Sequence, residues 1–151
     1  MATAQPPAIF LPLALGLAAT LCTVIVQAFA VLAIIRFVRR EQRLGVTGRS
    51  FLRDVAIVAS AILLGFSAHL IEIAIWGVGF ALCGEFSGFA AAFYHSAENY
   101  TTLGYGDLVM SPQWRLLGPM EAADGMLMFG VSTALIFTVI QRLVQARYSE
   151  G

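Results

Sequence analysis

The sequence predicts an all-α membrane protein with three transmembrane helices and, between the second and third, a short element that enters and leaves the bilayer on one face. Three observations carry that expectation. Of 151 residues, 59% are hydrophobic and 12% charged, with a mean hydropathy of +0.82, which is outside the balance of a soluble domain. Three apolar stretches each reach the roughly 20 helical residues that a bilayer requires. The arginines gather between and after those stretches, and that asymmetry orients them.

The first stretch is Met1 to Ile35, which carries no charged side chain and is apolar from Ala8 onward. A signal peptide would place its positive charges before the apolar core. Here they follow it, as Arg36, Arg39, Arg40 and Arg43, so the segment is expected to be retained with its N-terminus outside. Residues 36 to 54 hold six of the nine arginines together with Gly45 and Gly48 and are read as a cytoplasmic loop. The arginine spacing invites a voltage-sensing reading, but these residues lie beyond the apolar run and orientation alone accounts for them.

Val55 to Leu82 is the second span, with His69 and Glu72 three residues apart near its middle. Such a pair at membrane depth suggests either structural bonding or proton sensing. The third span is Leu116 to Ile140, followed by Arg142 and Arg147. Eight of nine arginines then fall inside and only Arg115 outside. Residues 83 to 115 must therefore begin and end on the outer face. Phe86 to Tyr100 is too apolar for a wet loop and too short to span, which suits a re-entrant segment shielded by protein.

Formal net charge is zero and every basic residue is an arginine. No nucleic-acid surface is expected. Cys22 and Cys83 lack metal-ligand spacing and read as free thiols packed as small hydrophobes. Neither enzymatic activity nor a cofactor is expected.

The stretch Thr101 to Asp107 reads TTLGYGD and follows the aromatic segment 86–100. Over residues 86–142 the chain resembles the pore-loop potassium channels. The phrase HLIEIAIW, which includes Trp76, is similar to the outer helix of small bacterial relatives, so the resemblance implies a two-transmembrane pore module with an extra N-terminal helix, in a bacterial inner membrane with the C-terminus inside. It divides the chain into 1–54, the N-terminal helix and arginine-rich loop, and 55–151, a pore domain with outer helix 55–82, pore helix and selectivity filter 86–107, and inner helix 116–142. It further implies K+ as permeant ion, bound by carbonyls of Thr102, Leu103, Gly104 and Tyr105, with the Thr102 hydroxyl forming the innermost ring. Gly104 and Gly106 are expected at positive φ, which a side chain resists.

Filter support is implied at Tyr94, His95, Glu98, Thr101 and Asp107. Leu103 replaces the valine usual in the family. Tyr94 and His95 replace two tryptophans, each still offering a polar tip behind the filter. Glu98 and Asp107 match a carboxyl pair expected to share a proton, although Asp107 alone would also concentrate cations at the mouth. Gly125 and Gly130 sit where a gating hinge is placed, or else admit close helix packing. Glu121 and Asp124 either colour a cavity negative or bond neighbouring helices.

One filter strand is a quarter of a carbonyl ring, so the expected assembly is a homotetramer in a lipid bilayer, with an unknown partner conceivable at the N-terminal helix. A weakly selective cation channel is the nearest alternative. An ion-coupled transporter would show internal repeats, and a non-conducting partner subunit would show a broken filter.

Overall fold

The structure, a computed structural model, describes residues 9–45, 47 and 50–148. Among these, four α-helices follow one another: α1 Phe10–Arg43, α2 Phe51–Leu82, α3 Phe89–Tyr100 and α4 Leu117–Tyr148. No strand occurs among the described residues. Three helices are long and apolar enough to cross a membrane, α1, α2 and α4. The chain is an all-α integral membrane protein.

One expectation is corrected. The first helix does not stop near Ile35 but runs on to Arg43, so Arg36, Arg39, Arg40 and Arg43 belong to a helix rather than to a loop. Arginine, glutamine and glutamate are good helix formers, and cations in a last turn complement the negative end of the helix dipole. The loop shrinks to residues 44–50, of which Val46, Gly48 and Arg49 lie outside the described residues. Gly45, at φ 63°, stops α1 by donating its N–H to the Gln42 carbonyl at 3.0 Å, a turn that only glycine takes at no steric cost. The third span is likewise longer than its apolar core and extends to Tyr148.

The chain divides into two units. The first comprises Met1–Val24 and Ile71–Leu127, the second Ile25–Leu70 and Met128–Gly151. In the first, Ile73, Trp76, Phe80, Ala92, Tyr100 and Leu117 are buried, but so are Thr23, Glu72, His95, Ser96, Glu98, Glu121 and Asp124. The second packs Ile34, Val38, Ile57, Ala61, Val139 and Leu143 into an apolar cluster, with Phe37, Val58 and Leu135 against it. Its buried polar groups form one chain: Gln27 Nε2 donates to Ser132 Oγ at 2.9 Å and to the Met128 carbonyl at 3.3 Å, and Ser132 Oγ lies 3.0 Å from His69 Nε2.

Candidate functional site

The short helix α3 reads FAAAFYHSAENY and is held from both sides within the first unit. Glycines let its neighbours approach. A Cβ at Gly77 of α2 would lie 3.2 Å from Phe93 Cα, and one at Gly125 of α4 would collide with the Tyr100 carbonyl. Hydroxyls then fix the rotation of α3: Ser96 donates to the Ile73 carbonyl at 2.7 Å and bonds Glu121, and Tyr100 donates to Glu72. Glu121 and Asp124 are both buried and bonded to other helices, Asp124 Oδ2 accepting from Trp76 Nε1 at 2.9 Å and Thr23 Oγ1 at 2.7 Å. Of the two readings left open for that pair, helix bonding holds. His69, in the second unit, stacks on Phe129 at 4.6 Å and meets Ser132.

At its C-terminal end α3 turns sharply into the segment 101–107. Thr101 N–H and Oγ1 both donate to the Ala97 carbonyl, at 3.1 and 2.6 Å, Thr102 N–H to that of Asn99 at 2.9 Å, and Leu103 N–H to that of Glu98 at 2.8 Å. With these carbonyls capped, the chain continues with left-handed backbone at Thr102 (φ 59°), Gly104 (φ 54°) and Gly106 (φ 75°), whereas Leu103 and Tyr105 are not at positive φ. Alternation of left-handed and other backbone is the kind of conformation that lets successive main-chain polar groups line one side of a segment. Thr101 to Asp107 is exposed in the single chain. The helix dipole of α3 also presents its negative end here, which favours a cation.

Tyr94 donates its hydroxyl to Asp107 Oδ2 at 3.1 Å. The neighbouring Glu98 carboxyl, then desolvation, then Asp107 push its pKa up to about 12. Asp107 Oδ1 also accepts from the Leu108 N–H at 3.0 Å. Of the carboxyl pair anticipated from sequence, Asp107 is the one that accepts the Tyr94 hydroxyl. His95 makes other contacts: its Nε2 lies 2.9 Å from Asn99 Nδ2, and its ring packs on Phe86 and Phe80 at 4.8 and 5.5 Å. Burial lowers its pKa, with Glu98 and the Leu108 backbone working the other way. A cavity of about 210 Å³ lies behind the segment, lined by His95, Glu98, Gly104, Gly106, Arg115 and Pro119 among others.

Two features escaped sequence reasoning. Glu85 clamps the following loop, accepting from the Ser111 N–H at 2.6 Å and the Ser111 hydroxyl at 2.7 Å; nothing in the sequence marks those two residues. Thr23 reaches Asp124 from α1, and here a signal existed. The buried positions of α1 are Pro12, Gly16, Thr23, Gln27, Ile34 and Val38, a stripe at heptad spacing that begins with small and polar residues. Of the two candidate hinges, Gly125 serves close packing, and a Cβ at Gly130 would meet nothing within 4 Å.

A family model described as an ion channel matches residues 68–142. That span takes in α2 from Ala68, all of α3, the segment 101–107 and most of α4. No curated protein and no solved structure matches the chain.

Proposed function

We propose that this chain, which belongs to the pore-loop ion-channel family, is one subunit of a potassium-selective homotetramer with Thr101–Asp107 as its filter. The single observation that carries the proposal is the alternation of left-handed backbone at Thr102, Gly104 and Gly106. A potassium ion cannot enter low dielectric bare. Carbonyls of Thr102, Leu103, Gly104 and Tyr105, repeated in four chains, would replace its water ring by ring. K+ is then the permeant substrate, and no resident cofactor is required. The pore helix is re-entrant in this reading, and the arginine asymmetry puts the N-terminus outside and the C-terminus inside. The bacterial inner membrane is the setting that the family resemblance supports.

A thousandfold preference for potassium over sodium needs only about 4 kcal/mol. Left-handed backbone costs a non-glycine residue about 1–2 kcal/mol, repeated here in each subunit. Gly104→Ala is therefore expected to abolish conduction. Purified protein reconstituted under opposed potassium and sodium is expected to reverse close to the potassium potential. Equal passage of both ions would replace this proposal with a weakly selective cation channel, and normal conduction by Gly104→Ala would remove the segment from the pore.

A further inference from the structure

We infer that the extra helix α1 is a strut of the filter, with Thr23 a positioning residue that acts through Asp124; this rests on the filter assignment above. Both side chains are buried, at 0% and 2% exposure, where a polar group must find a partner. Asp124 Oδ2 accepts from two helices at once, Thr23 Oγ1 of α1 at 2.7 Å and Trp76 Nε1 of α2 at 2.9 Å. Those bonds fix how far α4 can turn about its own axis at this level. Two turns earlier on α1, Gly16 leaves room for the Met120 side chain, which a Cβ there would strike. A small residue and a hydroxyl on one stripe thus seat α1 against α4.

The consequence passes to the next residue. A Cβ on Gly125 would lie 2.9 Å from the Tyr100 carbonyl carbon and 3.1 Å from Tyr100 Cγ, so α4 touches the main chain of α3 with no slack. With Cα atoms about 2.3 Å from a helix axis, a rotation of 10° moves them by about 0.4 Å. Tyr100 is the last residue of α3 and adjoins Thr101, where the filter begins. A shift of that size at Gly125 is delivered to the filter entrance. The hydroxyl of Thr23 is therefore expected to govern how long the filter stays conductive, without touching an ion.

The test uses the full chain in reconstituted bilayers and reads single-channel open duration. Thr23→Val keeps the shape and deletes the hydroxyl; Thr23→Ser restores it. Thr23→Val is expected to change open duration by about two- to tenfold, the range one hydrogen bond supplies, and Thr23→Ser to return it to the parent value. An unchanged open duration in Thr23→Val, or an equal defect in Thr23→Ser, overturns the inference. Should Thr23→Val fail to assemble, Trp76→Phe removes the other donor to the same oxygen and is expected to change open duration in the same range; no change there also overturns it. Reversal potential, recorded in the same patches, judges the potassium assignment separately, because open duration is read on whichever cation carries the current.

Discussion

In the unit formed by Met1–Val24 and Ile71–Leu127, four acids are buried, Glu72, Glu98, Glu121 and Asp124, and hydroxyl or indole groups donate to three of them. In the unit formed by Ile25–Leu70 and Met128–Gly151, the apolar cluster is six aliphatic side chains, the buried side-chain hydrogen bonds form the single chain of Gln27, Ser132 and His69, and the Asp54–Arg147 ion pair is only partly buried. The difference is informative because a bilayer removes the hydrophobic drive between helices and leaves packing and hydrogen bonds to position them. Aliphatic contacts hold helices together but tolerate a small slide, since dispersion is non-directional. Buried hydrogen bonds do not, because a donor moved off its acceptor is left unsatisfied in low dielectric. The first unit, which carries the proposed filter and the buried acids, is therefore the more closely specified of the two.

The largest test of that contrast uses two glycines of the same helix. Gly125→Ala drives a methyl group against the Tyr100 carbonyl, and neither backbone can swing aside. Overpacking of this kind costs about 1–3 kcal/mol, so thermal unfolding in detergent is expected to fall clearly below the parent. Gly130→Ala meets nothing within 4 Å and removes a poor helix former, a gain of about 0.5–1 kcal/mol. If the two variants unfold alike, the first unit is not the tighter one.

Legibility from sequence divides along the same line. The three spans were visible because hydropathy and arginine placement act locally and additively. The length of α1 was not, because hydropathy ends at Ile35 while helix propensity continues through Arg-Arg-Glu-Gln-Arg. Positive φ at Gly104 and Gly106 was anticipated, since glycine announces it. At Thr102 the residue type hides it, and the turn becomes visible only with the backbone in hand. The bonds from Thr23 to Asp124 and from Gln27 to Ser132 join residues 101 and 105 apart in sequence, and only tertiary packing could pair them. Glu98 and Asp107 were expected to share a proton, whereas the bond from the Tyr94 hydroxyl to Asp107 was not anticipated. The conducting role of these residues stays a proposal that currents must decide.

A smaller effect is expected at Tyr94, where the first unit reaches solvent. Its phenol donates to Asp107, and the carboxyls of Glu98 and Asp107 push its pKa up to about 12 from an ordinary value of 10.0. Because the folded value is the higher one, the protonated form is favoured by the fold. That contribution is complete below pH 10, declines above it and is gone once pH passes about 12. The difference between phenolate titrations of the parent and of Tyr94→Phe is expected to be one group with a midpoint near 12. A midpoint near 10 would mean that the two carboxyls do not act on this hydroxyl. Open durations of the parent are expected to show no step from this phenol between neutral pH and pH 9.

The smallest effect is expected at the rim of the second unit. Arg147 Nη2 lies 2.8 Å from Asp54 Oδ2, with side-chain exposures of 35% and 14%, and its guanidinium sits 5.8 Å from the Phe51 ring centroid. Water reaches a guanidinium that is a third exposed, so screening reduces both interactions. An exposed ion pair contributes about 0–1 kcal/mol, and an exposed cation over a ring about 0.5–1 kcal/mol. The long stem of a glutamine keeps part of the packing against Phe51. Arg147→Gln is therefore expected to lower unfolding stability by under about 1 kcal/mol, with the loss shrinking further as salt is raised, and to leave the reversal potential unchanged. The aliphatic cluster of Ile34, Val38, Ile57, Ala61, Val139 and Leu143 remains intact in that variant and continues to hold the helices. A loss of several kcal/mol, insensitive to salt, would mean that this rim ion pair organises the second unit more than its aliphatic cluster does, and the contrast between the two would no longer stand.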